Sequence, residues 1–311
     1  MVMIDRSVQA DVDPPRHVTF EAIIPAAMAV RAEESGIRRA ASDPLAVFVL
    51  SILGGAFVAF GAIFATTITA GTSPTFSADG TLVSSAAVPY GITRLLAGLA
   101  FCVGIIMVII AGAELFTGNN LVVMAWASGK VRTRALLLNW ALSFAGNSLG
   151  AAMTAALMFF TTQYTFGGGA VGLVALNTAN AKTSLAFIPA LTLGIMCNAL
   201  VCLAVWMCFS ARTNIDRVIT AVPPIAAFAA AGFEHCIANA YFIPMGMFIK
   251  AGAPDSFWKA VNKSAADFPD LTWGNFFGNL IPVTAGNIIG GSLMVAAVYW
   301  FVYLRKKAIE K

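Results

Sequence analysis

Beyond residue 44 the chain is a succession of long apolar runs joined by short polar links. Six runs (residues 45–70, 95–128, 135–162, 183–211, 218–249 and 271–304) are nearly free of ionisable side chains. Each exceeds the roughly 20 residues that a helix needs to cross a bilayer core. The pattern therefore predicts an all-α membrane protein with six transmembrane spans. The links are too small to fold as a separate domain, so whatever the protein does is done inside or across the membrane. Soluble catalysis and nucleic-acid binding are excluded on that ground.

Ahead of the first run, apolar residues recur at Phe20, Ile23, Ile24, Ala27 and Met28. This i, i+3, i+4 spacing predicts an amphipathic helix, with Gly36 as its stop signal. Such a helix either lies in the interface or packs on the bundle, or else serves as a gate that moves. The chain divides into an N-terminal segment (1–44), a six-span pore domain (45–304) and a basic tail (305–311).

The second, fifth and sixth runs span 34, 32 and 34 residues, and each carries polar groups or helix breakers well inside its length. Simple continuous helices are not expected there. In the second run Glu114-Leu-Phe-Thr-Gly-Asn-Asn120 interrupts the apolar sequence; in the fifth, Gly232-Phe-Glu-His-Cys-Ile-Ala-Asn239 does so. Glu114 precedes Asn119 by five positions, as Glu234 precedes Asn239. Gly146-Asn-Ser-Leu-Gly150 in the third run is matched by Gly286-Asn-Ile-Ile-Gly290 in the sixth. The markers of spans one to three thus recur in four to six. Three spans cannot return to their starting side, so the halves run in opposite senses, an inverted 3+3 repeat. Discontinuous helices in such a repeat point to a transport site at the repeat interface. The interruptions are expected to flank a pore, because irregular backbone at membrane depth is tolerated only when buried or lining a cavity.

Composition sharpens this picture. Of the 311 residues 59% are hydrophobic and 11% charged, against about a quarter charged in soluble domains. The net charge of +4 matters less than its distribution. With residues 1–44 inside, fourteen Lys and Arg fall on that side and five on the other, which places both termini in the cytoplasm. The opening residues are polar and lack the apolar core of a signal peptide, so the first span is expected to insert uncleaved. All five cysteines fall in apolar runs, which favours buried thiols over disulfides. With two histidines and no HExxH motif, neither a metal site nor a cofactor is expected.

His235 is the one imidazole within the runs, and Glu234 and Glu114 are the carboxylates at the two interruptions. Intramembrane ionisable groups carry a functional expectation because burying charge is costly. His235 titrates near neutrality in its ordinary state, which suits proton exchange with a permeating weak acid. The glutamates read first as anchors that accept from N–H groups freed at the interruptions, together with Asn239. Thr117 can both donate and accept, so it can partner the His235 ring if the interruptions meet. Pattern alone gives Phe101, Ile105, Leu115, Phe116, Val201 and Phe228 no role beyond core or lipid contact. The Gly-Asn-x-x-Gly pairs read as close helix packing, and secondarily as asparagines near a path.

These residues carry a resemblance. Pro25-Ala-Ala-Met-Ala29, Gly112-Ala-Glu-Leu-Phe-Thr117, Asn198-Ala-Leu-Val-Cys-Leu-Ala-Val-Trp206, Gly232 to Asn239, Ile243-Pro-Met-Gly246 and Asn279 to Gly291 together resemble the formate/nitrite transporter family, and its bacterial formate channels in particular. The resemblance implies an aquaporin-like protomer in a homopentamer, in a bacterial inner membrane and among its lipids. It implies transport of formate and other small monovalent anions rather than enzyme catalysis. By position it sets Thr117 against His235, and Leu115, Phe116, Ile105 and Val201 at a cytoplasmic constriction. Phe101 and Phe228 match a periplasmic constriction, Lys182 a basic vestibule residue, and Asn198 a polar group beside the pore. Ile105 stands where a leucine is usual, and Cys236 where serine is common. Residues through about Val18 have no counterpart. In the expected mechanism Lys182 draws the anion in and His235, tuned by Thr117, protonates it transiently. A nitrite or hydrosulfide channel on the same scaffold is the alternative, and a cytoplasmic formate-metabolising enzyme is a conceivable docking partner. A glycerol facilitator is disfavoured by the lack of an Asn-Pro-Ala pair, and an intramembrane hydrolase by the lack of a Gly-x-Ser-x-Gly elbow.

Overall fold

In lipid every backbone polar group needs a partner within the protein, and a helix supplies one for each residue in its interior. The computed structural model, which describes residues 21–72, 75–76, 82–84 and 88–305, accordingly turns each apolar run into helix. The expectations for the first 20 residues and for the tail beyond Arg305 lie outside the described residues. The first span is α2 (Pro44–Thr72). A short antiparallel pair, β1 (Thr75–Phe76) and β2 (Leu82–Ser84), lies in the link that follows. The second span is α3 (Tyr90–Ala111), continued after a break by the short helices α4 (Phe116–Asn119) and α5 (Val123–Ala127). The third is α6 (Thr133–Phe160). A linking helix, α7 (Ala170–Thr183), leads to the fourth, α8 (Phe187–Cys208). The fifth is broken into α9 (Asn214–Ala231) and α10 (Cys236–Gly252), bent by 48° at the break. After α11 (Asp255–Val261), the sixth runs through α12 (Trp273–Ile288), a π-helical stretch (Ile289–Ala297) and α13 (Val298–Tyr303).

The halves repeat in their packing. A Cβ at Gly150 of α6 would overlap the carbonyl oxygen of Ile52 on α2, and one at Gly290 would overlap that of Ile195 on α8. The paired motifs in the third and sixth spans are thus points where helix backbones touch, which small residues permit in a bilayer.

One expectation changes. The front helix does not stop at Gly36: α1 runs from Pro25 to Ala41. Gly36 lies in its middle because α1 presses there on α5 and the turn before it, where an added Cβ would meet the Ala125 Cβ at 3.1 Å and the Val122 Cα at 3.3 Å. The helix is docked on the bundle, held also by the ion pair of buried Glu33 with Lys130. Its start at Pro25, with Ile23 N–H donating to the Ser210 carbonyl, fits proline's preference for the first helical turn. The sixth span, where a simple continuous helix is not expected, is unbroken but irregular. It absorbs its glycines by widening into the π-helical stretch, where Gly291 lies against Asn198 and Asn120 and Ser292 Oγ donates to Asn120 Oδ1 at 3.2 Å.

The repeat yields a paired expectation for stability. Gly150→Ala and Gly290→Ala should each destabilise the fold by about 1–3 kcal/mol through overpacking. Gly91→Ala, with nothing within 4 Å of the added carbon, should be neutral. Thermal unfolding in detergent separates the three.

Candidate functional site

Both broken spans are built the same way. α3 ends at Gly112 (φ +81°) and α9 at Gly232 (φ +79°), a left-handed conformation that glycine adopts without steric cost. Ala113 N–H then donates back to the Val108 carbonyl, as Phe233 N–H does to that of Phe228, closing each helix end. The chain leaves the helix and crosses to the first helix of its own half: Glu114 N–H donates to the Leu50 carbonyl and Glu234 N–H to that of Leu193, both at 3.3 Å. One asparagine clamps each loop. Asn147 Oδ1 accepts from Phe116 N–H at 2.8 Å while its Nδ2 donates to the carbonyls of Ser51 and Glu114. Asn287 Oδ1 accepts from Cys236 N–H at 3.0 Å while its Nδ2 donates to those of Gly194 and Glu234. These asparagines hold the loops rather than line a path, and they take the amide groups that the glutamates were expected to satisfy.

The glutamates instead sit in parallel polar chains. Glu114 accepts from Asn119 Nδ2 at 2.7 Å and from Arg39 at 3.3 Å; Asn119 also donates to Asn139 Oδ1 and accepts from Arg39. Glu234 accepts from Asn239 Nδ2 at 2.6 Å and from Lys182 Nζ at 2.7 Å, and Asn239 also donates to Asn279 Oδ1. A carboxylate buried without a partner would cost several kcal/mol or more, and in both loops a cation offsets it. Lys182 therefore lines the larger cavity, but as half of a part-buried ion pair that also rests on the Phe242 ring at 5.5 Å.

The breaks bring His235 and Thr117 together, with His235 Nε2 3.1 Å from Thr117 Oγ1 and both residues buried. The ring has a second duty. As N-cap of α10 its Nδ1 accepts from Ala238 N–H at 3.1 Å. An accepting Nδ1 leaves the proton of a neutral imidazole on Nε2, so that atom donates to the threonine hydroxyl. The repeat places Leu115 where His235 stands: both are extended (φ −128°, ψ 121° and φ −115°, ψ 115°) and both precede the helix after the break. The otherwise duplicated loops diverge at this position, apolar in one half and titratable in the other.

Two cavities approach this point from opposite sides. One of about 560 Å³ is lined by Arg94, Phe101, Lys182, Phe228, Glu234 and His235, among others. The other, of about 240 Å³, is lined by Arg39, Ile105, Glu114, Leu115, Val205 and Arg217, among others. Phe101 and Phe228 meet edge to face with ring centroids 5.6 Å apart, and Phe228 stacks on His235 at 6.0 Å. Thr117 and Val201 are buried and line neither cavity. Nor does Phe116, whose ring packs edge to face against Trp140 and Phe144. Asn198 also stands back: its Nδ2 donates to the carbonyls of Thr117 and Asn287, bracing the loop that carries the threonine. Sequence reasoning missed Arg39, Arg94 and Arg217 at the cavities and Asn139 and Asn279 in the polar chains. The asparagines carried a readable signal, since each precedes its clamp residue by eight positions in both halves.

The formate/nitrite transporter family profile matches residues 26–301. The chain is 43% identical to the formate channel FocA of Escherichia coli K12, over 92% of this chain and 96% of that one. It is 37% identical to FocA of Haemophilus influenzae, over 85% and 89%. Among solved structures it is similar to a pentameric formate channel with formate bound, at 42% identity and a TM-score of 0.76, covering 84% of this chain and 98% of that one.

The clamp makes a direct prediction. Asn287→Ala leaves the Cys236 N–H and the Gly194 and Glu234 carbonyls without the partners described. A buried polar group left unsatisfied costs about 1–3 kcal/mol, so the variant should unfold at markedly lower temperature than wild type, with Asn147→Ala matching it. An unchanged midpoint for both would refute the clamp.

Proposed function

The chain belongs to the formate/nitrite transporter family, and from that membership we propose that it is a formate channel of a bacterial cell membrane, assembled as a homopentamer with one pore per protomer. The face carrying α1 is cytoplasmic and the larger cavity opens to the periplasm, a reading supported by the excess of basic residues on the α1 side. The observation that carries the proposal is the pairing of His235 with Thr117 between two cavities flanked by apolar residues. A bare carboxylate crossing that interval loses most of its hydration, which is costly without a compensating group. The Nε2–H of His235 is a polar donor placed where this loss occurs.

The neutral ring at rest follows from the helix cap. A second proton would sit on Nδ1 and face the Ala238 N–H, so an imidazolium forfeits the cap in addition to paying for burial. The charged ring forms when an anion in the larger cavity offsets it, the proton being taken up from bulk solution through that cavity together with the anion. Nε2 then gives a proton to the carboxylate, and neutral formic acid passes Leu115 and Ile105 toward the cytoplasm. If the acid returns its proton to the ring, the net flow is of anion; if it carries the proton away, the net flow is symport. Other small monovalent anions fit the same path.

Stopped-flow uptake into proteoliposomes, between about pH 5 and 8, tests this reading. Formate should enter faster than nitrite or hydrosulfide, with a pH profile that His235→Ala flattens. Preference for another anion would keep the channel and change its substrate, and a pH profile unmoved by His235→Ala would sink the proton step. The aromatic pair carries a separate expectation: Phe101→Ala combined with Phe228→Ala should admit larger monocarboxylates that wild type excludes, measured by the same uptake.

A further inference from the structure

Each cavity is lined by three formally charged side chains: Arg94, Lys182 and Glu234 in the larger, and Arg39, Glu114 and Arg217 in the smaller. The glutamate in each is engaged by one of the cations, Lys182 at 2.7 Å and Arg39 at 3.3 Å. Both cations are thereby neutralised and fixed to the loops. The two remaining arginines have no such partner among the described residues. Arg94 donates from Nε to the Ala230 carbonyl at 2.9 Å and from Nη2 to that of Ala229 at 2.7 Å. These oxygens end α9 and hold the guanidinium without cancelling its charge. Arg217 is exposed at the other end of the same helix. Its neighbour Asp216 is turned to the Arg212 and Thr213 N–H groups in the helix cap.

We infer that Arg94 and Arg217, rather than Lys182 and Arg39, supply the net positive charge that concentrates the permeant anion at the two mouths of the pore. The inference rests on the anion-channel reading above and assigns a role that the paired lysine cannot fill. A charge already matched at 2.7 Å by a carboxylate presents mainly a dipole to an approaching anion, whereas an unmatched guanidinium beside a cleft keeps a net charge that draws the anion. The arrangement also separates two tasks by residue: one cation per vestibule stabilises the loop, and one attracts the substrate. Arg94 is thus a positioning and recruiting residue for α9 and the anion, not a participant in proton exchange.

Membrane vesicles of both orientations, bearing the full-length protein, test this with formate as the probe. Arg94→Gln should raise the half-saturating formate concentration about three- to tenfold at low ionic strength in right-side-out vesicles, with a limiting rate near that of wild type. The effect should shrink below about twofold near 0.5 M salt, where screening is effective within a few ångströms. Arg217→Gln should do the same in inside-out vesicles. Arg94→Lys, which keeps the charge and loses the two-pronged contact with the carbonyls, should restore most of the affinity. If Arg94→Lys is as impaired as Arg94→Gln and the defect is independent of salt and of side, Arg94 is a helix cap only and the inference is overturned. Wild-type formate flux with no response to either glutamine variant overturns it as well and leaves the channel reading intact; absence of any anion flux in wild type defeats that reading first.

Discussion

A helix broken inside a bilayer exposes amides and carbonyls that lipid cannot satisfy, and the architecture is organised around that constraint. Asn147 and Asn287 each pair one loop N–H and two carbonyls. To do so each must reach a neighbouring helix at short range, which is why glycines at 146, 150, 286 and 290 bring those helices into backbone contact. The glutamates then have to be matched, because a carboxylate needed to hold Asn119 or Asn239 is also a buried charge. Lys182 comes from the helix before the fourth span, and Arg39 from α1. The docking of α1 therefore belongs to the same problem as the break in the second span. Arg39 reaches the loop because Gly36 lets the helix lie close against Val122 and Ala125.

Within this duplicated frame the chemistry arises where the halves differ. Corresponding loop positions hold Leu115 and His235, and two residues on, Thr117 and Ile237. The bond from His235 to Thr117 therefore crosses from one half to the other and has no mirrored copy. A symmetric pair of leucines would give a dry barrier, and a symmetric pair of histidines would place two titratable rings together. One ring and one hydroxyl provide a single proton-bearing contact with apolar residues on either side. That restriction suits a path in which the substrate is weakly held and then released, as conduction requires.

Much of this was legible before any coordinates. Poverty in charge marked the spans, and the five-residue spacing of Glu114 to Asn119 and of Glu234 to Asn239 marked the breaks and their duplication. The family resemblance set Thr117 against His235, and the structure brings them to 3.1 Å. What escaped was decided by tertiary contact. Gly36 reads as a stop because glycine weakens isolated helices, yet α1 continues through it on the strength of packing. The glycines and polar groups of the sixth span signal a helix that is not simple, and the π-helical stretch that follows Asn287 leaves no periodic signal. The resemblance sets Lys182 in the vestibule as a basic residue and does not reveal its pairing with Glu234, 52 positions away. The resemblance gives Asn198 as a polar group beside the pore, and in the structure two carbonyls in other elements take its amide. For Gly36, Lys182 and Asn198 a residue remote in sequence determines the outcome.

The same atom arrangement that stabilises α10 also constrains the mechanism. Nδ1 of His235 is fixed as an acceptor by the first turn of the helix, so in the proposed mechanism the ring would meet the substrate with Nε2 as donor and without a charge of its own. A permanently charged ring would hold an anion tightly and close the barrier to turnover; a ring unable to donate would leave the carboxylate unsolvated at its driest point. In the proposed mechanism the cap sets the ring between those limits, and a charge develops on it only when the anion is present. Structural and functional demands on His235 thus meet in one hydrogen bond, and the helix that the histidine begins is part of the device that keeps it neutral.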